Sequence, residues 1–168
     1  MPPGGWQQPV AQPMAWAGTP LSGWWSRVAA QLIDALILTI PVIVLTILVV
    51  AVATASEAGA IVTGVFAFLA YVVVAIFYAP VLMKRPGPHN GQSWGKQAMS
   101  IAVVRDSGEE IGLGYGFLRE IVIKQLLFGF VGGFFFSIPT ILNYLWPLWD
   151  DQNRALHDML AKSHVVKR

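Results

Sequence analysis

Near the start of the chain, Arg27 and Asp34 stand seven residues apart, a basic and an acidic group within one largely apolar stretch. On an α-helix that spacing puts them on nearly the same face, two turns apart. About 10 Å of helix axis separates them, too far for a direct ion pair. Arg27 reads as a boundary arginine, with its stem along apolar surface and its head in water or among lipid phosphates. Asp34 lies deeper, where a lone carboxylate costs at least ~2.5 kcal/mol. It must be paired, protonated or turned toward a hydrated cleft. Gln31, one turn earlier, can share that cleft, and Lys124 or Arg119 from later in the chain can supply a cation. Three chemistries stay open for Asp34: structural pairing between helices, an ion or proton site, and contact with a substrate.

Other combinations fall short of a site. Gly91-Gln92-Ser93-Trp94-Gly95-Lys96 has too few residues between its glycines for a phosphate loop, and Gln97 follows the lysine where Ser or Thr is needed. Gly112, Gly114 and Gly116 miss the dinucleotide spacing and read as turn glycines. His89, His157 and His164 form no pair at i, i+3 or i+4, so no metal site is expected. Ser93, Ser100 and Ser137 lack the neighbouring base that marks a nucleophile. Arg154 and Asp158, four apart in a polar stretch, read as a surface ion pair. With no cysteine, disulfides, thiolate zinc sites and cysteine nucleophiles are excluded. The expectation is a protein that is not an enzyme and carries no cofactor.

The elements that position these residues are those of a membrane protein. Of the 168 residues, 55% are hydrophobic and only 12% charged, against about 25% charged in a soluble domain. The basic residues flank apolar runs without gathering on one face, which argues for membrane orientation and against nucleic acid. Residues 1–23, rich in Pro, Gly, Gln and Trp, read as a mobile tail, and residues 24–168 as one membrane domain. Segments 28–55 and 60–83 each exceed the ~20 residues needed to cross a bilayer. Pro41 is expected to kink the first, and the short link makes the two antiparallel neighbours. Segment 84–120 leaves the membrane. It carries a predicted strand at 100–105, a turn at 106–109 and a returning strand at 110–113.

The third apolar region, 121–149, is broken by Gly129, Gly132, Gly133 and Pro139. As continuous helix it spans about 43 Å, more than one crossing and less than two. Lys84, Arg85, Lys96, Arg105 and Arg119 follow the second helix, whereas the link between the first two contains only Glu57. That bias places the N-terminus and segment 84–120 in the cytoplasm. A single third crossing would send Arg154, Lys162, Lys167 and Arg168 outward, against the bias. A hairpin returning near Gly132 and Gly133 keeps them inside and is the preferred reading. It also lets residues 163–167 pair as a strand with Ile101–Val104. The fold class is thus an all-α membrane protein with a small cytoplasmic β element.

The pattern Arg27-Val-Ala-Ala-Gln-Leu-Ile-Asp34, then Gly91-Gln-Ser-Trp-Gly-Lys96, Ile101-Ala-Val-Val-Arg-Asp106 and Arg154-Ala-Leu-His-Asp158, resembles the RDD family of membrane proteins over about residues 24–168. The Pro/Gly/Trp-rich tail resembles those of actinobacterial members. The arginine and two aspartates that name the family would be Arg27, Asp34 and Asp158. The resemblance implies a multi-pass protein of the cell membrane, proposed to act in transport of a cation, proton or small solute. So small a subunit encloses a pathway only as a homo-oligomer or with other membrane subunits. A non-transporting adaptor or scaffold is the alternative.

Overall fold

The computed structural model describes residues 17–168. Most of the expected tail, with Trp6 and Trp16, lies outside the described residues. Helix α1 runs Trp24–Ala53 and α2 runs Glu57–Met83, both long and apolar enough to cross a membrane. Pro41 stands inside α1 without ending it. Ser56 caps α2 by accepting the Gly59 amide at 3.1 Å. Gly59 and Gly64 face α1, beside Val52 and Val49, so the two backbones approach closely. Elsewhere the pair is bare: Leu36 and Phe66 are each 68% exposed, as are similar side chains around both helices. Such exposure is stable only in an apolar solvent.

The water-excluded core lies at one end, where α1 begins and α2 ends. Ala30, Met83, Ile101, Val103, Ile111 and Val165 form it. Above it sit the short helix α3 (Trp94–Ala98) and an antiparallel pair, β1 (Ile101–Arg105) with β2 (Ser163–Lys167). Val103 faces Val165 in the register, which is the expected partnership of the two segments. Both edges are covered. Val103 donates to the Gly91 carbonyl on one side, and on the other Ser22 donates to Val165 and Lys167 to Pro20. Pro20–Ser22, expected as mobile tail, are therefore fixed to the sheet.

The strand expected at 110–113 does not form. Asn90 takes its place as partner, accepting the Ile111 amide at 2.8 Å and donating to the Ile111 carbonyl at 3.1 Å, while β2 occupies the ladder edge of β1. Leu113 instead opens α4 (Leu113–Phe117), which continues as a π-wound segment, Leu118–Val131, and ends in α5 (Gly132–Phe134). Buried Glu120, Lys124, Phe128 and Gly132 recur every four residues. In an α-helix each such step drifts by about 40°; the wider winding shifts each step back the other way.

The chain then turns at 135–137, where Phe136 and Ser137 adopt left-handed φ, and reverses into α6 (Ile138–Leu145). Thr140 donates to the Phe128 carbonyl, and Gly132 leaves room for that hydroxyl. A short α7 (Leu156–Leu160) leads into β2.

Gly91 has φ +78° and faces the Val103 carbonyl so closely that a Cβ would run into it. Gly91→Ala should cost about 2 kcal/mol or more. A thermal melt in detergent micelles should show a clear loss, and Gly114→Ala, which meets open space, should show none.

Candidate functional site

Asp34 is held by three neutral donors. Its Oδ1 accepts from the Tyr78 hydroxyl and the Gly95 amide, both at 2.7 Å, and its Oδ2 from the Ser93 hydroxyl at 2.5 Å. One carboxylate thus ties α1 to α2 and to the N-terminus of α3. Gly95 permits this approach, because a Cβ there would collide with the Ala30 carbonyl and the Asp34 carboxylate. Ser93 also caps α3. The Gly91–Lys96 segment, unfit as a phosphate loop, is a clasp on Asp34.

The cations expected as partners of Asp34 go elsewhere. Lys124 donates to Gln31 at 2.7 Å and to Glu120 at 3.2 Å. Arg119 bonds Glu120, Asp158 and, at 3.2 Å, the Ser163 hydroxyl. The reason is Glu120, buried between them, an acid that the sequence reading left in the extramembrane segment. Its spacing to Lys124, four residues, was the available signal.

Arg27 does not meet Asp34, as their separation requires; it meets Asp158 at 2.5 Å. The Asp158 side chain is fully buried. It accepts from Arg27 and from the Ala155 amide on Oδ2 and from Arg119 on Oδ1, joining α1, the π-wound segment and α7. The expected surface pair of Asp158 with Arg154 is absent, since Arg154 precedes α7 and lacks helical register with it. Arg154 bonds Asp150 instead, at 3.1 and 3.2 Å.

His157 completes this node. Asn143 Oδ1 accepts the His157 amide at 2.9 Å and lies 2.8 Å from Nδ1, so Nδ1 carries the proton and Nε2 faces Arg119 at 3.3 Å. Burial, with Arg119 and Lys124 nearby, pushes its pKa down to about 3 against the pull of Asp158, leaving the ring neutral at neutral pH. Burial alone would raise the Asp158 carboxyl, yet it sits well below the usual carboxylate range. Because His157 is neutral, Arg119 and Arg27 carry that effect. Burial likewise lowers Lys96, with Glu120, 3.6 Å away, opposing.

The two clusters share one cavity of about 310 Å³. Arg27, Gln31 and Asp34 from α1, Lys96 from α3, and Glu120 and Lys124 from the π-wound segment line its polar side. Val28 and Leu32 with Tyr144 and Pro147 line its apolar side. Sequence reasoning weighed Ser93, Gly95, Lys96 and His157 against a nucleophile, a phosphate loop and a metal site, without joining them to Asp34 or Asp158, and passed over Glu120.

Two long apolar helices closed at one end by a buried charged node define a small helical membrane protein. The RDD family model matches residues 21–162, and the chain belongs to the RDD family. No curated protein and no solved structure matches it.

Asp158→Asn leaves Arg27 and Arg119 facing a neutral amide in a buried site, and should destabilise the fold by about 3–5 kcal/mol in a micelle melt. The His157 shift gives a pH signature. Between its folded value of about 3 and the unfolded value of about 6.5, the unfolded chain binds more protons. Stability should therefore fall as pH drops through that window, by up to about 1.4 kcal/mol per unit. In His157→Gln the slope of melting temperature against pH from 6.5 to 4 should flatten.

Proposed function

We propose that this RDD-family protein is a multi-pass subunit of a cell-membrane transporter that moves a small solute, with Asp34 as its proton-responsive group. The carrying observation is that Asp34 lines the cavity while bonded only to neutral donors. Protonation on Oδ2 reverses the bond with Ser93, whose hydroxyl then accepts where it had donated, and so alters the α3 clasp that carries Lys96 over the cavity. Passage of a free metal cation is the weaker form of this reading, because Arg27, Lys96, Arg119 and Lys124 outnumber Asp34, Glu120 and Asp158 around the site.

The charge distribution supports a cytoplasmic placement of this end and of the N-terminus. All eleven Lys and Arg residues belong to the segments that gather there, while the link between α1 and α2 offers only Glu57. The reversal at 135–137 supports a third membrane region that enters and leaves on that same side. Neither α1 beyond Asp34 nor α2 before Tyr78 carries a charged residue after Glu57. A complete path therefore calls for a second copy or another subunit.

That same uncharged outer half favours a second reading, a non-transporting adaptor whose charged node fixes a cytoplasmic surface for a partner.

Asp34→Asn separates the two. The amide oxygen still accepts from Tyr78 and Gly95, and its NH2 can donate to Ser93, so the fold should survive. In vesicles with an imposed pH gradient, the wild-type protein should dissipate the gradient faster than protein-free vesicles, and Asp34→Asn should return to their rate with an unchanged melt. Wild-type vesicles no faster than empty ones would sink the transport reading. The adaptor reading expects lower recovery of a partner with Asp34→Asn and no flux in either form.

A further inference from the structure

The geometry points to an acidic phospholipid, bound through a monoanionic phosphodiester head, as the ligand of this cavity. The inference deepens the transport reading by naming the substrate class of its site, and it rests on that reading for the placement of the cavity in the membrane.

Charge balance is the first argument. Four cations, Arg27, Lys96, Arg119 and Lys124, meet three carboxylates, Asp34, Glu120 and Asp158, and His157 is neutral. With Lys96 charged, one positive charge is left without a counter-charge, and a single bound anion balances it against the burial that lowers Lys96.

Hydrogen bonding identifies which donors lack a partner. Arg119 and Lys124 are engaged with carboxylates. Arg27 uses only Nη1, toward Asp158; its Nε and Nη2 are buried without a partner among the described residues, although the side chain is only 14% exposed. Those two nitrogens form one edge of the guanidinium, the edge that grips two oxygens of a phosphate or carboxylate. The ammonium of Lys96 donates to the Ser93 hydroxyl at 3.4 Å and has its nearest carboxylate oxygen at 3.6 Å, which leaves it donors for an anion.

The remaining wall selects an amphiphile. Val28, Leu32 and Pro147 supply apolar lining, and Leu32 is itself 60% exposed on the outer face of α1. A headgroup at Arg27 and Lys96 can therefore keep its acyl chains along α1. Arg27 also stands near the end of its membrane helix, the depth at which lipid phosphates lie. A zwitterionic lipid brings an ammonium or choline into a site with surplus positive charge and is disfavoured.

The full chain, purified in detergent micelles, tests this by native mass spectrometry with phosphatidylglycerol, phosphatidylcholine, oleate or inorganic phosphate added. One phosphatidylglycerol should be retained per chain and phosphatidylcholine should not. Arg27→Lys, which can keep the contact with Asp158 but lacks the free edge, and Lys96→Gln should each weaken retention about tenfold. Equal retention of the two phospholipids, displacement of phosphatidylglycerol by inorganic phosphate or oleate at equal concentration, or undiminished retention in both variants would overturn the proposal. Should either variant melt early, the wild-type comparison of the four ligands decides alone. No flux is read here, so failure of lipid binding and failure of the Asp34→Asn vesicle experiment are separately visible.

Discussion

A carboxylate with no exposed surface holds the charged end together. Asp158 sits where α1, the π-wound segment and α7 converge, and each contributes a donor to it: Arg27, Arg119 and the Ala155 amide. Two guanidiniums cannot share so dry a space without an acid between them. Burying Asp158 is therefore the condition under which Arg27 and Arg119 can both face inward. Glu120 repeats the arrangement one step deeper for Arg119 and Lys124. The cavity is the gap left beside this scaffold.

Asp34 belongs to a different kind of contact. Its ties to Tyr78, Ser93 and Gly95 involve no ion pair, so they depend on geometry and on a glycine where any side chain would intrude. The two acids therefore divide the work of the site. Asp158 is locked by surrounding charge, while Asp34 is held by neutral donors alone.

Much of the fold was legible because membrane segments declare themselves by length and apolarity. The first two helices emerged within a few residues of their bounds, and the pairing of Ile101–Val104 with residues 163–167 followed from alternation and strand length. The strand expected at 110–113 failed because side-chain competition from Asn90 leaves no mark in a periodicity. The site was harder. Arg27, Asp34 and Asp158 were each noticed, and the spacing of Arg27 and Asp34 correctly denied them a direct bond. Their side-chain partners lie 39 to 131 residues away, and no local rule reaches that far. Glu120 was overlooked because it stands at the edge of an apolar run, where an acid ordinarily faces water. No sequence rule announces the π-winding of its segment.

Arg27 and Asp158 are separated by 131 positions, and β2 follows Asp158. During synthesis, both long helices and the reversed hairpin can therefore be complete while Arg27 and Arg119 still lack their shared acid. Until Asp158 emerges, Arg27 has water or lipid in place of that acid. The α7 segment thus works as a keystone, made after the helices that it locks.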